Sequence, residues 1–132
     1  MAKISAEMKE VAEKAKCFAV ATANKDGKPN VVPILFAKVL SDDELLLMDS
    51  FMQKTRQNVE ENPVVAISVW ADSKGYQFKG KARIEASGKT FDEGTQWVKS
   101  KNPKLSPKAA VIVKVDEIYI TTGGPDAGKR VE

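Results

Sequence analysis

From residue 76 to residue 85 the chain alternates without a break. Tyr76, Phe78, Gly80, Ala82 and Ile84 fall on one register, and Gln77, Lys79, Lys81, Arg83 and Glu85 on the other. Side chains of an extended strand point to opposite faces in turn, so this period of two specifies a strand with one buried and one wetted face. No helical reading of the segment gathers its apolar residues on one side. Gly80 in mid-strand points to a bulge or to the close approach of another group.

The rest of the chain supplies partners for such a strand. Residues 18–23 are apolar, residues 24–29 form a turn around Asp26-Gly27, and residues 30–40 read as a second strand, so the first two strands make a hairpin. Pro33 has no N–H for a ladder, which places it at an edge, a bulge or a gap in pairing. Residues 45–49, 64–70 and 109–120 read as further strands, the middle one with Trp70 in the core. Helices are expected at 5–15 with Ser5 as N-cap, at 52–61 ending before Pro63, and at 91–100, where Thr90 and Glu93 have capping-box spacing. Hairpins outnumber strand–helix–strand crossovers. The expected fold is therefore mainly β (α+β): a six-stranded antiparallel barrel with about three short flanking helices, one domain over residues 1–132. Residues 122–132 form a Gly-rich C-terminal tail, read as too glycine-rich for a regular element.

Composition removes several classes of chemistry. The 132 residues include no histidine and one cysteine. A His-based triad, a His-ligated zinc or haem site, a zinc cluster of cysteines and an intrachain disulfide are all excluded within this chain. Cys17 sits in an apolar run and reads as a small buried hydrophobe. Twenty-one basic residues against 18 acidic ones give a net charge of +3, compatible with a small anionic ligand without demanding nucleic acid. No apolar run reaches the ~20 residues of a membrane span, and the N-terminal segment lacks a signal-peptide core. A cytoplasmic protein is expected, and no metal site or catalytic acid or base can be named. Any chemistry would come with a cofactor.

One segment carries a candidate binding site. The apolar residues 45–48 feed Asp49, Ser50 and then Lys54-Thr55 at the start of the expected second helix. Unsatisfied N–H groups and the peptide dipole at a helix start attract phosphate; Lys54 adds a charge and Thr55 a hydroxyl donor. The same spacing also suits an amphipathic helix with a wetted basic face, and Asp49 or Ser50 could simply cap it. Asn58, one turn on, would line the same rim or fill structure. Trp97 reads as core or as an interface anchor. Lys79, Lys81 and Arg83 would make a stripe for single-stranded nucleic acid or a wetted strand face.

Taken together, four stretches resemble the FMN-binding split barrels related to pyridoxamine 5'-phosphate oxidase: the hairpin around Asp26-Gly27 running to Ile34, the strand and turn leading to Lys54-Thr55, Asn62-Pro63-Val64-Val65-Ala66, and Phe78-Lys79-Gly80-Lys81-Ala82. The resemblance covers residues 5 to 128 and implies a split β-barrel. It implies that Lys54 and Thr55 bind the FMN phosphate. Val32, Pro33 and Ile34 would run along the flavin ring, Met48, Asp49 and Ser50 would lie near the ring and ribityl chain, and Gln77 would reach the cofactor from its strand. It further implies a homodimer with FMN at the interface, completed by partner residues near Ser106, Lys108 or the tail, and a small oxidoreductase or electron carrier. The chain departs from the true oxidase in having no histidine and a Lys-Thr pair where that enzyme has Arg-Lys, so pyridoxamine phosphate oxidation is not expected. The alternatives are an F420-dependent reductase on the same barrel and a non-enzymatic barrel binding single-stranded nucleic acid.

Overall fold

The computed structural model describes residues 2–132. In chain order the elements are α1 (Ala6–Lys14), β1 (Phe18–Ala23), β2 (Pro29–Ile34), β3 (Ala37–Val39), β4 (Glu44–Asp49), α2 (Lys54–Glu61), β5 (Val64–Ala71), β6 (Lys74–Glu85), α3 (Lys89–Lys101) and β7 (Ala109–Ile120). The strands form one antiparallel sheet in the order β2-β1-β5-β6-β7-β4-β3.

The expected six strands are seven, because the segment expected as one strand over 30–40 is two. β2 pairs with β1 through Ile34, and β3 pairs with β4 from Ala37. These are the two outer edges of the sheet, yet only Leu35 and Phe36 separate them in the chain. Adjacent Cα atoms lie ~3.8 Å apart, so the sheet has to curl until its edges nearly meet. The result is a curled half-barrel whose open seam runs beside β2 and β3. The crossing is pinned where Phe36 O accepts the Met48 N–H at 2.9 Å. Pro33 sits on β2, which has a strand partner on one side only, as its missing donor requires.

The interior follows the alternation. Phe18, Val20, Ile67, Phe78, Val113 and Ile118 fill the curl, and Ile4 with Met8 and Val11 of α1 closes one side. Each such side chain contributes roughly 1.5–3 kcal/mol by leaving water. A second, smaller cluster lies on the far face of β4, where Leu46 and Met48 meet Ile112 and Val98 of α3. Burial on both faces explains why residues 45–48 are apolar without alternation. Gly80 marks both features expected of it: the register slips between Lys79 and Gly80, and a β-carbon there would strike the Lys114 carbonyl of β7.

Three local expectations are corrected. Trp70 is not core but 52% exposed, since β5 turns Val65, Ile67 and Val69 inward and puts Trp70 on the opposite register. Thr90 does not cap α3: the helix starts at Lys89 behind Gly88, whose φ of 101° is open to glycine at little cost. Cys17 is half-buried rather than buried. Ser5 caps α1 as expected, its Oγ accepting the Met8 N–H at 3.3 Å. The tail is more regular than its composition suggests. Ile120 N donates to Lys129 O at 2.9 Å and Val131 N to Ile118 O at 2.8 Å, with a bridge between Tyr119 and Arg130. It covers the part of β7 beyond Lys114, which β4 does not reach.

Among the described residues, no helix is long and apolar enough to cross a membrane.

Candidate functional site

A cavity of about 430 Å³ opens beside the seam. One wall is the end of β2 and the crossing, from Val32 to Phe36. Met48, at the end of β4, lies behind it, and Leu105, from the loop before β7, closes one side. The fourth side is the turn from Ser50 to Gln53 and the first residues of α2, Lys54 and Thr55. The volume falls within the usual span for small-molecule sites, about 300–1,000 Å³.

The cavity is polar at one end. The start of α2 has no side-chain cap from Gln53 and no acidic residue in its first turn. Its first N–H groups therefore keep their hydrogen-bonding capacity and the positive end of the helix dipole faces the cavity. Lys54 has no ion-pair partner among the described residues, unlike Lys9, Lys14, Lys74, Lys89, Lys108 and Lys114. The Ser50 Oγ is buried without a hydrogen-bond partner. A buried unsatisfied hydroxyl costs about 1–3 kcal/mol; the Thr95 Oγ1 is in the same state, but only Ser50 lines the cavity, where its hydroxyl is available to a group from outside. Thr55 is buried and its Oγ1 accepts from Asn30 Nδ2 at 3.2 Å.

Seven of the nine residues expected at the site line this cavity: Val32, Pro33, Ile34, Met48, Ser50, Lys54 and Thr55. Asp49 and Gln77 do not. Asp49 is fully buried beneath the turn, where Oδ1 accepts the Met52 N–H at 2.8 Å and Oδ2 lies 3.3 Å from Arg56 Nη1. Lys108 Nζ stands 3.9 Å from the same carboxylate and donates to Met52 O at 3.1 Å. Asp49 thus braces the turn from below, and Lys108 serves its own chain's turn. Gln77 lies on the outward register of β6, between Ser68 of β5 and Tyr119 of β7, with two strands separating it from β2. Asn58 is buried under the site, donating to Thr22 Oγ1 at 3.0 Å. Sequence reasoning missed Leu35, Phe51 and Leu105; Phe51 is 80% exposed and Leu35 71%, and no periodicity marks an apolar residue left in solvent.

The other candidates are absorbed by structure. Arg83 is paired with Glu44 at 2.9 Å and Glu85 at 3.0 Å, and Lys79 lies over the Tyr119 ring at 5.3 Å, so two of the three basic residues of the stripe are engaged within the chain. Trp97 packs edge-on against Phe36 with ring centres 5.8 Å apart, bracing the crossing. No cluster of three or more His, Cys, Asp or Glu able to hold a metal occurs among the described residues.

Fold and cavity together define a curled antiparallel half-barrel with a seam-side cavity, apolar along most of its lining and bordered at one end by a helix start and a lysine. The chain belongs to the pyridoxamine 5'-phosphate oxidase family, whose sequence model matches residues 4–122. It is 41% identical over 133 residues to the uncharacterized protein MJ0282 of Methanocaldococcus jannaschii, covering 98% of this chain and 88% of that one. Among solved structures, HupZ of Group A Streptococcus is 27% identical with a TM-score of 0.83, covering 95% of this chain and 99% of its own. An FMN-binding protein of Syntrophomonas wolfei shares the fold at 17% identity and a TM-score of 0.74, covering 87% and 88% of the two chains. The same fold is also found in an F420 reductase and in HutZ, the haem storage protein of Vibrio cholerae.

Proposed function

We propose that this protein binds FMN in the seam cavity and works as a small oxidoreductase or electron carrier. The observation that carries the reading is the uncapped start of α2, with the partnerless Ser50 hydroxyl and free Lys54, at one end of an otherwise apolar cavity. Lys54 and Thr55 would hold the phosphate, with charge-assisted hydrogen bonds worth roughly 1.5–3 kcal/mol. Val32, Pro33 and Ile34 would flank the ring, Met48 would pack against it, and Ser50 would take a ribityl or phosphate oxygen. Bound FMN supplies hydride or electron transfer. The chain's residues bind it, orient it and keep water from its buried side; none of them is assigned as acid or base.

We further propose that the working form is a homodimer. The outward face of β2, β1 and β5 carries Val31, Pro33, Ala19, Ala21, Val64 and Trp70, with Val31 66% exposed. Such a face, bordering the cavity, favours a second copy over water. Gln77, Ser106 or the tail would then reach the cofactor from the partner. The compartment we propose is the cytoplasm.

The test is a titration of purified protein with FMN, F420 and haem, followed by absorbance, with sedimentation measured alongside. The reading expects FMN to bind tightest, to a dimer. Tighter F420 binding moves the assignment to a deazaflavin reductase, whose phosphate would use the same helix start. Tighter haem binding would overturn it; with no histidine in the sequence, an imidazole-ligated haem has no ligand here.

A further inference from the structure

We propose that Asn30 is a positioning residue for the phosphate seat: its side-chain amide holds the Thr55 hydroxyl as an acceptor and so leaves that hydroxyl's single proton free to serve a ligand in the cavity. The inference rests on the reading of α2 as the phosphate site. It concerns a residue that does not line the cavity and that neither the motif nor the family resemblance singles out.

Hydrogen-bond polarity sets what Thr55 can offer a phosphate. A phosphate accepts and does not donate, so a threonine serves it only with the O–H directed at it. A hydroxyl has one proton and two lone pairs, and its direction is set by its other partners. Thr55 Oγ1 receives Asn30 Nδ2 at 3.2 Å, which fills one lone pair and leaves the proton uncommitted. Asn30 Nδ2 is itself fixed. Its second N–H goes to Thr22 Oγ1 at 3.3 Å, and the same oxygen accepts Asn58 Nδ2 at 3.0 Å. Thr22 and Asn30 face each other across the β1–β2 ladder, and Asn58 reaches them from α2 one turn beyond Thr55. Thr22, Thr55 and Asn58 are buried, so water does not compete freely for these bonds. The network ties β1, β2 and α2 together and keeps the Thr55 proton turned away from Asn30. Were the Asn30 oxygen turned toward Thr55 instead, it would take the proton, and the phosphate would meet a lone pair.

A merely structural role and a positioning role differ in what they predict. Loss of packing weakens every ligand of the cavity alike. Loss of hydroxyl direction weakens only the ligand that has a phosphate. The experiment therefore measures dissociation constants for FMN and for riboflavin, its dephosphorylated form, in the full-length protein and in Asn30→Ala, Asn30→Ser, Thr55→Val and Asn30→Ala/Thr55→Val variants, with thermal unfolding of each. The proposal expects Asn30→Ala to cut the preference for FMN over riboflavin about two- to ten-fold with riboflavin affinity little changed, and to have no such effect when Thr55 is already valine. Asn30→Ser, which keeps a donor in a smaller side chain, gives an intermediate loss and serves if the alanine variant fails to fold. An unchanged preference in both Asn30 variants, or an equal loss in the Thr55→Val background, overturns it. If the unaltered protein itself shows no preference for FMN, the phosphate seat is wrong and this role falls with it.

Discussion

The starts of α1 and α2 solve the same physical problem in opposite ways. α1 is closed by its own sequence: Ser5 Oγ accepts from Met8 N, the Met8 sulfur accepts from Ser5 N, and Glu7 places a negative charge in the first turn. α2 has none of this; Gln53 does not cap it, its first turn carries no acid, and Lys54 stands where the helix dipole favours an anion. α3 lies between, uncapped by a side chain but with Asp92 in its first turn. A helix start left open beside a cavity, with a cation added, is suited to an anion from outside the chain. The cost of leaving it open is small, about 1 kcal/mol for a missing cap, and an anion bound there would recover it.

This contrast can be broken by exchange. The largest effect is expected at Lys54. Lys54→Ala should lower FMN affinity by roughly 1.5–3 kcal/mol, about ten- to a hundred-fold by calorimetry, with the unfolding temperature of the ligand-free protein nearly unchanged. Ser5→Ala should do the reverse: about 1 kcal/mol of stability lost in denaturant titration, and FMN affinity retained. Gln53→Asp should make α2 resemble α1, raising ligand-free stability by about 0.5–1 kcal/mol while weakening FMN several-fold, because the new carboxylate competes for the same N–H groups. A Gln53→Asp protein that gained stability without losing affinity would show that the two functions of the helix start are separable. The smallest effect concerns pH. Lys74 holds the Glu7 carboxyl below its ordinary value, and Lys9 does the same for Asp42. A lowered carboxylate contributes stability that is fully present above the unfolded value and lost as pH falls through the folded one. Stability should therefore decline modestly as the pH drops below the ordinary carboxylate range, and Glu7→Gln should flatten that decline in acid denaturation. Both pairs are exposed, so salt should weaken them.

What the sequence makes legible depends on the range of the force involved. The alternation at 76–85, the turn at Asp26-Gly27 and the cap at Ser5 are decided by neighbours in the chain, and each is where the residues indicate. The division of 30–40 into β2 and β3 is not local. Both halves are extended, and only the meeting of the sheet's two edges decides that they pair with different strands. Trp70 misleads because both registers of β5 are mostly apolar, with Ser68 as the single polar residue, so alternation carries little information there. At the site, the helix start and its Lys54-Thr55 pair are legible, since strand, turn and basic helix start are consecutive. The position of Asp49 is not, because its burial depends on Lys108, which is 59 positions away and adjacent only in the fold. The network through Asn30 is equally hidden, as three elements meet to make it.

The central claim is that the open start of α2 receives a phosphate. The most direct measurement is an amide-resolved NMR titration with FMN. The expected result is that the largest shifts fall at Lys54 and Thr55 and are absent when riboflavin replaces FMN, with a second set at Val32 and Ile34 common to both ligands. Shifts confined to another surface, or identical at α2 for FMN and riboflavin, would contradict it.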